Sequence, residues 1–75
     1  MNILEKHRRL KGLTYKEIGE KLGVSQPQAW RLCNGGIPKN VNIHKISSFL
    51  GITEAEAFIG MSANDNGDDT GGDAA

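Results

Sequence analysis

Glycine divides this chain at short intervals, at Gly12, Gly23, the pair Gly35 and Gly36, Gly51 and Gly60. Each follows a segment with helix-compatible periodicity, at the place where a left-handed residue closes a helix. The helix starts agree with these stops. Thr14 with Glu17, Ser25 with Gln28 and Thr53 with Glu56 have the spacing of capping boxes, in which the first and fourth side chains satisfy each other's backbone donors. No stretch alternates convincingly as a strand would. The fold class expected is all-α, a compact domain of five short helices.

Helix 1 is expected over 2–11 with Ile3, His7 and Leu10 on its buried face. Helix 2, over 15–22, presents Tyr15, Ile18 and Leu22, and helix 4, over 41–50, presents Ile43, Ile46 and Leu50. Helix 5 is a short turn over 54–59. Pro38 and Asn40 in "IPKN" make the connection before helix 4 an irregular loop, because proline removes a backbone donor.

The 75 residues make one small domain with little room for an enclosed active site. After Gly60 the composition changes: "MSANDNGDDTGGDAA" holds Asp65, Asp68, Asp69 and Asp73 with no aromatic residue, Val or Ile. Such a segment buries too little surface to fold, so a disordered acidic tail is expected over 61–75 behind a folded domain over 1–60. The net charge of zero therefore conceals a division. Nine Lys and Arg against five Glu leave the domain at +4, which favours an anionic partner.

Several function classes are set aside by the same residues. No Ser, His and Asp arrangement or glycine-rich phosphate loop is present, and the aspartates lack the ligand order of a calcium loop. His7, His44 and Cys33 occur singly, without the close spacings of structural zinc sites. No enzymatic activity, metal or cofactor is expected. A single cysteine and the lack of an apolar leader or membrane-length run make the cytoplasm the expected compartment.

Gly19 sits inside helix 2, where glycine costs roughly 1 kcal/mol relative to alanine, so something must pack against it too closely for a larger side chain. Helix 3, reached through the turn at Gly23, is the nearest candidate. A helix, a short turn and a second helix crossing the first at a small residue make a helix-turn-helix. Residues 3–59 resemble the phage repressor and Cro (XRE-type) DNA-binding domains through "LTYKEIGEKLGVSQPQAWRLCNGG" and "IHKISSFLGI". Ile18, Gly19, Leu22, Gly23, Val24, Ala29, Leu32 and the closing Asn34 and Gly35 carry the pattern.

The resemblance implies a bacterial or phage transcriptional regulator that lays helix 3 in the major groove of a double-stranded operator, as a homodimer. Stepping 100° per residue turns Ser25, Ala29, Leu32 and Cys33 inward, and leaves Pro27 and Arg31 outermost with Gln28 and Trp30 on the flanks. Gln26, Pro27, Gln28 and Arg31 are the candidate base readers: glutamine pairs with an adenine edge and arginine with guanine. Thr14, Tyr15, Lys16, Ser25, Lys39 and Asn40 are the candidate phosphate contacts. Trp30 is expected chiefly to pack sideways on the domain, with contact to a sugar-phosphate strand or to a partner protein as alternatives. Phe58, Ile59 and Met61 are the candidate dimer surface.

This chain departs from the family where Tyr15 replaces a glutamine and where Cys33 replaces a glutamate that pairs with an arginine matching Arg8. Arg8 is then expected to be surface charge or a phosphate contact. The acidic tail is read as an inert solvated end or as a competitor with DNA for the basic face. Two rival functions use the same fold: a module that binds a co-encoded protein, and a non-specific nucleic-acid binder.

Overall fold

The computed structural model describes residues 1–62, which form α1 (Ile3–Lys11), α2 (Tyr15–Leu22), α3 (Gln26–Cys33), α4 (Asn40–Leu50) and α5 (Glu54–Ser62). No strand occurs among the described residues. The expected disordered tail lies outside the described residues from position 63 onward, and Met61 and Ser62 belong to the last turn of α5. Leu4, Ile18, Leu32 and Ile46 are fully buried at the centre, and Ala57 and Met61 close the core from α5. Burial of each such leucine or isoleucine is worth roughly 1.5–3 kcal/mol.

Two of the three expected capping boxes form as their spacing predicts. Thr14 Oγ1 accepts from Glu17 N at 3.1 Å while Glu17 Oε1 accepts from Thr14 N at 2.8 Å. Thr53 and Glu56 make the same pair of bonds, at 3.1 and 2.9 Å. Gly12, Gly23 and Gly51 close α1, α2 and α4 in the left-handed region.

Of the face that the apolar residues of α1 predict, Ile3 packs against the core and His7 against Phe49, but Leu10 does not turn inward. Leu10 is 81% exposed, whereas Leu4 and Glu5 are buried. The cause is charge neutralisation: Glu5 bonds Arg8 through both carboxylate oxygens, at 2.7 Å each, and Arg9 at 2.8 Å. A carboxylate held by two guanidiniums can be buried at modest cost. Asn2, expected inside this helix, is instead its buried cap. Its Oδ1 accepts from Glu5 N at 2.9 Å, and its Nδ2 donates to Leu32 O at 2.8 Å, tying the start of α1 to the end of α3.

Gly60 does not end a helix; α5 runs through it to Ser62. A Cβ at Gly60 would lie 2.7 Å from Ile3 Cγ2, so this glycine lets α5 press against α1. Close approach, rather than backbone freedom, is its role. No helix among the described residues is long and apolar enough to cross a membrane.

Candidate nucleic-acid interface

The site is built outward from Gly19. A Cβ there would meet Val24 O at 2.8 Å and Ser25 O at 3.3 Å, so only glycine allows the backbone leading into α3 to lie on α2. Gly23, with φ of 73°, makes the turn, and Val24 N donates back to Gly19 O at 2.9 Å. The neighbour that demands a glycine is thus the turn backbone at the head of α3. Ala29, Leu32 and Cys33 anchor the inner side of that helix in the core.

Ser25 caps α3, its Oγ accepting from Gln28 N at 3.2 Å. It is exposed rather than turned inward, because a capping hydroxyl must face the open amides of the first turn. Gln28 does not return the bond. Its Oε1 accepts from Arg31 Nη1 at 3.3 Å, on the outer face of the helix. Gln26, Pro27 and Arg31 are exposed and Gln28 is half-buried. Trp30 is 54% exposed, against the expectation that it packs sideways. The inner side of α3 is already filled by Ala29, Leu32 and Cys33, which leaves the indole at the surface.

Beside the head of α2 and the foot of α3 lies a polar cluster. The Arg8 guanidinium sits 4.2 Å from the centre of the Tyr15 ring, bonds Glu5, and donates from Nη1 to Leu13 O at 3.0 Å. Arg8 is therefore a buttress for Tyr15 rather than surface charge or a phosphate contact. Glu5 takes the place of the family glutamate missing at Cys33. Its bonds to Arg8 hold its carboxyl below the ordinary glutamate range, despite the opposing effect of burial. Burial pushes the Cys33 thiol up to about 12, so it stays protonated at neutral pH.

The Tyr15 ring packs on the core and its hydroxyl reaches the surface, 3.5 Å from Asn34 Nδ2. Asn34 Nδ2 also donates to Trp30 O at 2.8 Å. This side chain bridges the head of α2 and the foot of α3, a role beyond the helix-closing one its sequence position indicates. The clue to Glu5 was available: Glu5 precedes Arg8 and Arg9 by three and four residues, the spacing of helical ion pairs.

Thr14 and Lys16 are exposed at the head of α2. Lys39 and Asn40 are exposed at the head of α4, which Lys39 enters without a side-chain capping bond. The loop between bends at Gly35, with φ of 94°, and then lies against Arg31: a Cβ at Gly36 would meet Arg31 O at 2.7 Å and Arg31 Cγ at 2.8 Å. Of the expected dimer surface, Phe58 and Ile59 are exposed, at 58% and 66%. Met61 is not part of it, being 3% exposed, because α5 continues past Gly60 and turns this side chain into the core. His7 packs edge-on against Phe49 with ring centres 5.0 Å apart, and His44 Nδ1 lies 2.8 Å from Glu54 Oε2.

A clamped α2–turn–α3 unit with a polar outer face is one half of the identification. The other is that residues 4–56 match the helix-turn-helix family. The chain belongs to the XRE-type, Cro/repressor-like helix-turn-helix family. Helix-turn-helix domains of this family bind double-stranded DNA and regulate through it, and the family is not one of enzymes. No curated protein and no solved structure matches the chain. Within this helix-turn-helix, α2 is the supporting helix and α3 the outward one, and the match spans both together with α1, α4 and the first residues of α5.

Proposed function

We propose that the chain is a sequence-specific transcriptional regulator that binds an operator as a homodimer, with α3 in the major groove. The observation that carries this reading is the Gln28–Arg31 pair on the outer face of α3. The two side chains hold each other at 3.3 Å, which arranges them beforehand while leaving further donors on both. Arg31 reads guanine O6 and N7, Gln28 and Gln26 read adenine edges, and Pro27 lies against a thymine methyl.

Phosphate contacts come from Tyr15, Lys16, Lys39 and Asn40 around this face. The Thr14 and Ser25 hydroxyls accept capping bonds, and each keeps its own proton to donate to a phosphate oxygen. Phe58 and Ile59 supply the apolar contact between subunits, which sets two copies of α3 about one helical turn apart on the operator. The setting that goes with this reading is a bacterial or phage-infected cytoplasm.

The test is binding to duplexes tiled across the DNA upstream of the protein's own gene, at two salt concentrations, with scrambled duplex as competitor. Tight binding to one tile, weakened by roughly 1–3 kcal/mol in Arg31→Ala or Gln28→Ala, is the expected outcome. Equal, salt-sensitive binding to every tile points to a non-specific binder. Binding to none removes the DNA reading and turns attention to a protein partner at Trp30.

A further inference from the structure

Four polar side chains are buried among the described residues, those of Asn2, Glu5, Asn42 and Ser47. Three of them are bonded. Asn2 serves Glu5 N and Leu32 O, Glu5 holds Arg8 and Arg9, and Ser47 Oγ donates to His44 O at 2.8 Å. The Asn42 side chain, in a residue only 7% exposed, makes no hydrogen bond within the described residues. A buried amide without a partner costs stability, and the rare exceptions to bonding point to a ligand.

The position of Asn42 indicates the charge of that ligand. It is the third residue of α4, and a helical side chain leans toward the N-terminus of its helix, which sets this amide over the first turn. Helices α1, α2 and α3 each begin on a side-chain cap, from Asn2, Thr14 and Ser25. Lys39 enters α4 without one, and the N–H groups of Asn40 and Val41 donate to nothing within the described residues. No acidic residue stands in this turn, and Lys39 is exposed beside it. Open backbone donors, the positive end of the helix and a cation all favour an anion.

We infer that the head of α4 is a site for one phosphate group, with Asn42 Nδ2 as its buried donor and the Asn40 and Val41 amides as its backbone donors. Exposed contacts from Lys39 and Asn40 only orient a strand, whereas Asn42 makes the phosphate part of the packing. Occupancy bonds an amide that folding alone leaves unbonded, so the domain is more stable with the anion than without it. The phosphate comes either from a free anion or from a DNA strand. The second source rests on the reading of α3 as the DNA-facing helix.

The test melts the full chain, Asn42→Leu and Asn42→Asp in sodium chloride and in sodium phosphate of matched ionic strength and pH. Leucine keeps the shape of asparagine and removes the unbonded amide, so Asn42→Leu should melt at or above the wild type in chloride. Phosphate several-fold above its Kd should raise the wild-type Tm by roughly 4 °C or more, and should raise neither variant. In the same titration the NMR resonances of the Asn40 and Val41 amides should shift to saturation in the wild type alone. Absence of the wild-type gain, its survival in Asn42→Asp, or a chloride Tm lowered in both variants alike overturns the inference. Random duplex then separates the two sources. A roughly tenfold loss of affinity in Asn42→Leu assigns the site to a DNA phosphate, and unchanged affinity assigns it to the free anion. A phosphate gain in a protein that binds no duplex upholds the site and overturns the DNA reading instead.

Discussion

Single atoms decide much of this structure, and Gly19 is the sharpest case. A methyl group there would gain helix propensity of roughly 1 kcal/mol, yet it would meet the Val24 backbone oxygen at 2.8 Å, in a turn held by the bond from Val24 N to Gly19 O. Crowding against backbone costs more than propensity returns. Gly19→Ala should lower stability by roughly 2 kcal/mol, seen as a fall in Tm of about 8–16 °C. Asn2 offers a cleaner dissection, because its oxygen caps α1 and its nitrogen serves Leu32 O. Asn2→Asp keeps the cap but sets a buried anion against a carbonyl. Urea unfolding should show it losing at least as much as Asn2→Ala, roughly 1–3 kcal/mol; a smaller loss would mean the bond to Leu32 contributes nothing.

In α3 the expected capping box closes on one side only, and this separates stability from recognition within four residues. Ser25→Ala should cost about 1 kcal/mol of stability. Gln28→Ala should leave the melting curve nearly unchanged and weaken DNA binding, so equal thermal losses in the two variants would contradict the division of roles. The elements most legible in the sequence are those whose causes are local. The boxes at Thr14 and Thr53, the stops at Gly12, Gly23 and Gly51, and the span of α2 follow from residues three or four apart. The misread elements depend on distant partners. The start of α1 depends on Leu32, whose carbonyl receives the Asn2 side chain, and the length of α5 depends on Ile3, which receives Gly60. Whether an apolar side chain is core or surface also has no local signature, hence Met61 inside and Trp30 outside. The exposure of Gln26, Pro27 and Arg31 was legible because an exposed helical face follows from its buried one.

Across the whole molecule, one buried carboxylate links the fold to pH. Arg8 holds Glu5 below its ordinary range in the folded state, so its contribution to stability is complete above the unfolded value, about 4.3, and is lost as pH falls through the lower folded value. Thermal stability should be level near neutrality and decline below about pH 5, and Glu5→Gln should flatten that decline while lowering the plateau. The seating of Gly60 on Ile3 carries a different consequence, one for the nascent chain. The α2–turn–α3 unit can gather early, since its contacts are close in sequence, but α1 lacks its outer neighbour until α5 has been synthesised. Leu4 and its surroundings then stay partly open on the ribosome until Met61 emerges, so the domain should lock late and all at once.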